Sequence, residues 1–436
     1  MKQFPVFFLG VFICLNGAAQ KKAWLYDAAP LHRAERALTD VIIHDIFSPP
    51  VSSRIYLYAN MAAYEVLAKA NPERYSSLHG QVKSFPQIPA AQKKISASLA
   101  AVYAFMQVGK ELVFSEPILE DSLKNILTWY KTKKIDKEMY DASLKYGREV
   151  ADTIINWAGK DHYKETRKLP RYRFSKEEGK WIPTPPGYMA AIEPYWNRIR
   201  LIALDSSSQF RPPAPIAFSK DTSSLFYKQA YDVYETGNGL TADQKATANF
   251  WDCNPFAINM QGHLHFAEKK ISPGGHWMSI VGVAAQQKNM SIVNASAVYT
   301  LTSIALFDAF ISCWDEKYRS NVIRPETYIN NYIDENWRPV LQTPPFPEYA
   351  SGHSVISTAA AVVLTRLLGD SVGFDDDTEV EFGLPVRHFD SFIQASKEAA
   401  ISRLYGGIHY RAAIENGLEE GKLIGEWILN KIQLKK

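Results

Sequence analysis

The chain has 436 residues, with 46% hydrophobic and 22% charged side chains and a formal net charge of +3. Its length allows more than one packed core, and its composition is that of an ordinary globular protein. So mild a positive charge is too small to argue for nucleic acid or an anionic membrane as a partner.

The N-terminus, "MKQFPVFFLGVFICLNGAAQ", carries one lysine, runs apolar from Phe4 to Leu15 and ends in small residues. This is the layout of a secretory signal peptide over residues 1–19 and predicts an exported protein, periplasmic or extracellular. No later segment has the roughly 18 uninterrupted apolar residues of a membrane span. Cleavage leaves Cys253 and Cys313. Cys313 falls on an apolar helix face, so two buried thiols are expected rather than a disulfide.

Helical periodicity dominates the rest. "PLHRAERALTDVIIHDIF", "SSRIYLYANMAAYEVLAKA", "KKISASLAAVYAFMQVGKELV" and "KEMYDASLKYGREVADTIINWAG" repeat apolar residues at three- and four-residue spacing. Further on, "DTSSLFYKQAYDVYETG" and "NASAVYTLTSIALFDAFISCWDEKY" do the same. The expected fold is all-α, two packed helical domains built as bundles. Two irregular stretches, 167–189 and 204–218, are rich in proline. Thr241 and Gln244 then form a capping box that restarts a helix in "LTADQKATANFW". An N-terminal helical domain is expected over 20–238 and a second domain over 239–436.

The C-terminal third concentrates cations and histidines. "EKYRSNVIRPE" holds Lys317 and Arg324, "YASGHS" (349–354) holds Ser351, Gly352 and His353, and "SRLYGGIHYRAA" holds Arg403 and His409. Lys317 ends a long helix whose face carries Phe310, Cys313 and Trp314. Pro325 forces Arg324 out of helical geometry. "YGG" breaks the Arg403 helix, and His409 opens the next. Each piece alone is ordinary. Together, three cations, a glycine at a helix N-terminus, a hydroxyl and two histidines describe a site for a tetrahedral oxyanion.

These stretches resemble the three-part signature of the vanadium haloperoxidase and type 2 phosphatidic acid phosphatase superfamily: K-x6-RP, PSGH, and SR-x5-H-x3-D. The first part matches fully; Ala350 replaces the proline of the second, and Ala413 replaces the aspartate of the third. The resemblance implies that Lys317, Arg324, Ser351, the Gly352 N–H and Arg403 hold the equatorial oxygens. His353 would be the acid/base at the apical oxygen, and His409 would bond to vanadium, or attack phosphorus in a phosphatase. Trp314 is a candidate wall of a halide pocket. With Ala413 in place of aspartate, another group, such as a backbone carbonyl, must orient His409.

Segments 194–215 and 241–251 also look like bacterial haloperoxidase-like proteins. The implied activity is halide oxidation by hydrogen peroxide at a histidine-bound vanadate. Iodide or bromide is favoured, because losing a carboxylate at Ala413 would weaken the site toward chloride. The alternatives are hydrolysis of a phosphate ester through a phosphohistidine, with no cofactor, and a catalytically idle oxyanion-binding protein.

Three further features read as structural. His263, His265 and His276 lack a completing cysteine or carboxylate motif and read as loop polar residues, not a metal site. Asp375, Asp376 and Asp377 read as a solvated loop. "FWDCNP" (250–255) reads as core packing.

Overall fold

The computed structural model describes residues 23–436 apart from Phe256, Gly262, His263 and Glu268. The expected signal peptide and His263 lie outside the described residues.

The N-terminal half is helical. Helix α1 spans Ala29–His44, α2 Pro49–Ala70, α3 Ala97–Leu112, α4 Glu116–Lys131 and α5 Lys137–Ala158. Ser48, Ser96 and Asp136 cap α2, α3 and α5 by accepting from the backbone N–H three residues on, which satisfies a donor the helix cannot. Helix α4 was not anticipated. Its buried Leu119, Leu123, Ile126 and Tyr130 carry the expected spacing, and proline sits in its first turn.

Further on come α6 (Leu225–Asn238), α7 (Ala242–Phe250), α8 (Pro273–Gln287), α9 (Ile292–Ser320), α10 (Pro325–Tyr332), α11 (Gly352–Leu368), α12 (Phe392–Tyr405) and α13 (Arg411–Lys431). The Thr241–Gln244 capping box is present at the start of α7. Two small antiparallel hairpins add to the helical plan. One pairs β1 (Ile258–Gln261) with β2 (Leu264–Ala267), the other β3 (Phe374–Asp376) with β4 (Arg387–Phe389).

Helix α9 organises the molecule. It is 29 residues long and apolar enough to cross a membrane, yet its apolar residues are buried by neighbouring helices. It packs between α2 on one side and α11 on the other, and α11 packs in turn on α12 and α13. One hydrophobic core therefore runs from Ala28 to Leu434.

The proline-rich stretches strap this core. The Asp308 carboxylate on α9 accepts the backbone N–H groups of Ile202, Ala203 and Leu204 at 2.7–2.9 Å. Irregular backbone thus finds its partners inside the protein. Cys253 and Cys313 are both buried and free, as expected.

The contact between α11 and α13 sets the site. A Cβ on Gly421 would stand 2.2 Å from the Val355 carbonyl, and one on Gly417 2.8 Å from the Ser354 Cβ. Only glycine lets the helices approach so closely. The approach brings the start of α13 against the start of α11, where Ser351 N donates to the Ala413 carbonyl at 3.1 Å.

Candidate active site

Four chain segments converge on one small cavity of about 40 Å³. Its walls include Trp314 from α9, Gly352 and His353 from the start of α11, Arg403 from the end of α12, and His409 from the turn before α13. Lys317, Arg324 and Ser351 lie fully buried in the wall behind. The seven anticipated residues of the three motifs and Trp314 are thus brought together.

Local rules explain most placements. Asn321 ends α9 in the left-handed region, and Arg324 is extended as the N-cap residue of α10, its φ and ψ being −75° and 152°. Proline at 325 requires that extension. Ser351 caps α11 by accepting from Ser354 N, so the serine of the motif has a structural role that leaves its hydroxyl proton free to donate. Gly406 caps α12, and Gly407 turns the chain at φ 75°. His409 lies in that turn and does not open the helix, because Tyr410 is the N-cap residue of α13.

The cations are anchored before any ligand arrives. Arg324 donates from Nε to Phe346 O and from Nη1 to Ile408 O, each at 2.8 Å. Its Nη2 is buried with no hydrogen-bond partner. Arg403 donates from Nη2 to Trp251 O at 2.6 Å and from Nε to Ser402 Oγ at 3.0 Å. Lys317 Nζ donates to the carbonyls of Pro347, Glu348 and Ala350 at 3.1, 3.0 and 2.5 Å. Lys317 therefore ties down the loop leading into "ASGH" while keeping a positive charge close behind Gly352. Burial lowers its pKa to about 8 and that of Arg324 to about 10, since each charged form has lost water.

The two histidines are held in defined tautomers. His409 Nε2 lies 3.2 Å from Arg324 Nη1, which can only donate. Its other nitrogen, Nδ1, lies 2.8 Å from Glu348 Oε1 and so carries the proton. Burial, reinforced by Arg324 and Lys317, holds the ring far below the ordinary histidine pKa. His409 is thus a neutral ring whose Nε2 lone pair accepts from Arg324 Nη1. His353 hydrogen-bonds the Trp251 backbone, and its Nε2 is buried with no partner. Burial and the Arg403 charge keep it deprotonated as well.

Glu348 is the residue that sequence reasoning missed. It takes the place of the expected carbonyl: a carboxylate, not a backbone oxygen, orients His409. Oε1 accepts both His409 Nδ1–H and the Tyr410 N–H, the latter at 3.0 Å. Burial raises the Glu348 pKa to about 7, with Arg324 and Lys317 opposing the rise. The available signal was a lone acid in the apolar run "PPFPEYA", three residues before Ser351.

Aromatic rings close one side. Trp314 packs on Phe346 at 4.9 Å and on Phe310 at 5.4 Å between ring centroids. Lys317 Nζ is 5.8 Å from the Trp314 ring and 5.2 Å from the Phe346 ring. Trp314 thus lines the cavity as anticipated, and Phe346 joins it.

Comparison with known proteins places the chain in a family. The chain is 48% identical to a bacterial vanadium-dependent iodoperoxidase, over 94% of this chain and 98% of that one, and the structures superpose with a TM-score of 0.88. The chain belongs to the vanadium-dependent haloperoxidase family. Residues 297–435 match the profile described as the VCPO second helical-bundle domain. A holo-type bacterial vanadium-dependent chloroperoxidase shares the fold at 18% identity, with a TM-score of 0.68 over 89% of this chain and 93% of that one. The vanadium chloroperoxidase of Curvularia inaequalis is 25% identical over 362 residues, 64% of this chain and 57% of that enzyme.

The residues present fit the vanadate of a haloperoxidase. A tetrahedral oxyanion needs donors that are not already spent, and Arg324 Nη2 is buried and unpartnered beside the cavity. The N-terminus of α11 adds backbone donors and a favourable dipole. Vanadium needs an unprotonated imidazole, and the Glu348–His409 pair leaves Nε2 as that donor. Arg324, Arg403, Ser351 and Gly352 would hold oxygens, and Lys317 would contribute charge.

Proposed function

We propose that this protein oxidises halide with hydrogen peroxide, with iodide as its best halide, using a vanadate held by His409. The observation that carries the proposal is the pair of neutral rings at one small cationic cavity, one with its tautomer set by Glu348 and the other by the Trp251 backbone. Bound vanadate supplies the Lewis-acid centre at which peroxide is activated toward a halide. His353 Nε2, buried and unpartnered, takes and returns the proton that peroxide must lose. Arg324 and Arg403 balance the anionic charge, and their backbone anchors keep them in place without reorganisation. Trp314 and Phe346 form an apolar wall suited to a large, weakly hydrated halide.

Iodide is supported by its ease of oxidation and by the 48% identity to a bacterial iodoperoxidase. The expected weakness toward chloride leaned on the loss of a carboxylate at Ala413. Glu348 supplies one, so the order of halides rests on their own chemistry and on the apolar wall. Export belongs to the same proposal, on the pattern of residues 1–19, and N-terminal sequencing of the mature protein tests it.

The test strips the protein in phosphate at low pH, then measures initial rates with iodide, bromide and chloride at fixed peroxide. Orthovanadate is expected to restore iodide oxidation; magnesium and zinc are not. Absence of halide oxidation, together with rapid aryl phosphate hydrolysis inhibited by vanadate, would move the protein to the phosphatase reading.

A further inference from the structure

Next to the cavity, and sharing Cys253 with its lining, lies a second buried cluster that the oxyanion chemistry does not use. Cys253 follows α7, His276 sits in the first turns of α8, and Glu379 stands in the turn after β3. The segment around His276, "GHLHFAEKKISPGGHW", holds no cysteine or carboxylate motif to complete a site. The fold supplies both from distant segments. Asp376, expected in solvent, is instead fully buried against the same ring.

We propose that Cys253 Sγ, His276 Nδ1 and Glu379 Oε1 are the three protein ligands of a buried zinc ion, separate from the vanadate. The separations are 3.5 Å for Sγ to Nδ1, 3.9 Å for Sγ to Oε1 and 3.1 Å for Nδ1 to Oε1. Tetrahedral zinc, with its usual bonds to sulfur, nitrogen and oxygen, sets its ligand atoms roughly 3.3–3.6 Å apart. The three atoms therefore already stand near the corners of one face of such a site.

The surrounding contacts agree. Asp376 Oδ2 lies 2.7 Å from His276 Nε2, so this carboxylate accepts from Nε2–H and leaves the Nδ1 lone pair toward Cys253 and Glu379. A carboxylate behind a ligating histidine is the common outer partner of zinc. A thiolate among nitrogen and oxygen ligands selects zinc over magnesium or calcium.

The ion would act on the active site through the loop it holds. Trp251 stacks on His276, with ring centroids 4.6 Å apart and planes within 20°. The Trp251 backbone also bonds Arg403 and His353. Two residues later comes Cys253. Zinc at Cys253 and His276 thus clamps the segment that fixes the His353 tautomer and the Arg403 fork.

The metal-free use of the same atoms is a protonated His276 shared between Asp376 and Glu379, and experiment separates the two. Protein expressed with zinc and dialysed is expected to hold one zinc per chain by plasma mass spectrometry. The cobalt(II) derivative should show a thiolate-to-cobalt charge-transfer band, which Cys253→Ser removes. Glu379→Gln should weaken zinc binding at least tenfold. If Cys253→Ser does not fold, the cobalt spectrum of the unaltered chain decides alone. A chain that holds no zinc as purified or after zinc addition, or a cobalt derivative without the thiolate band, overturns the proposal in favour of the shared proton.

Discussion

Glu348 Oε1 stands 2.8 Å from His409 Nδ1, although the two residues are 61 positions apart in sequence. The contact decides which nitrogen of the ring faces the cavity with a lone pair. It also resolves the departure at Ala413, where the signature has an aspartate. A carboxylate still orients the ring, and it comes from the loop that Lys317 ties down.

Removing that carboxylate should be felt as lost oxyanion coordination. Glu348→Ala is expected to weaken vanadate binding by about 10- to 100-fold, the usual effect of losing a partner behind a metal ligand. Glu348→Gln keeps a carbonyl for the Nδ1 proton and should recover much of the affinity. Calorimetric titration with vanadate checks this, and equal loss in both variants would mean that charge, not tautomer, is what Glu348 contributes.

The two histidines should separate in function. His409→Ala is expected to lose both vanadate binding and turnover. His353→Ala should keep most of the binding and lose turnover by about 10²- to 10⁴-fold, the range for a removed acid/base. Binding isotherms alongside peroxide-dependent iodide oxidation distinguish them. Comparable loss of vanadate affinity in both variants would contradict these roles.

Lys317 predicts a pH limit on anion binding. Its pKa is lowered by burial to about 8, so the ammonium is charged below that value and neutral above it. Oxyanion affinity should hold below about pH 8 and then fall, approaching tenfold per pH unit as one favourable charge is lost. Tungstate, whose own charge does not change over this range, is the probe. A flat affinity from pH 7 to 9.5 would remove Lys317 from the electrostatics of the site.

Glu420 predicts a stability change of the opposite sign to an ordinary salt bridge. This buried carboxyl on α13 accepts from Ser312 Oγ at 2.7 Å, and burial raises its pKa to about 7. A raised folded-state pKa contributes stability that is full below the unfolded value and lost as pH rises through 7. Glu420→Gln should therefore be more stable than the parent at pH 8, by up to roughly 3 kcal/mol, with little difference at pH 4. Urea denaturation at the two pH values measures it.

Much of the molecule was legible before folding because its signals are local. Apolar spacing marked α1, α2, α3, α5, α6 and α9. The Thr241–Gln244 box marked the start of α7, and Pro325 marked the extended Arg324. The seven candidate residues of the three motifs were legible for the same reason: each motif is a short segment whose spacing is read along the chain.

Tertiary structure decided what depends on contacts between segments. Glu348 faces His409 only because α11 and α13 close to backbone contact at Gly421, and no spacing along the chain encodes that approach. Cys253, His276, Asp376 and Glu379 each look unremarkable alone, since a buried ligand set is defined by distances across the fold. The proton positions on His353 and His409 were equally invisible. A tautomer is chosen by whichever acceptor the packed core places beside the ring, and here those acceptors are the Trp251 backbone and a glutamate from a proline-rich loop.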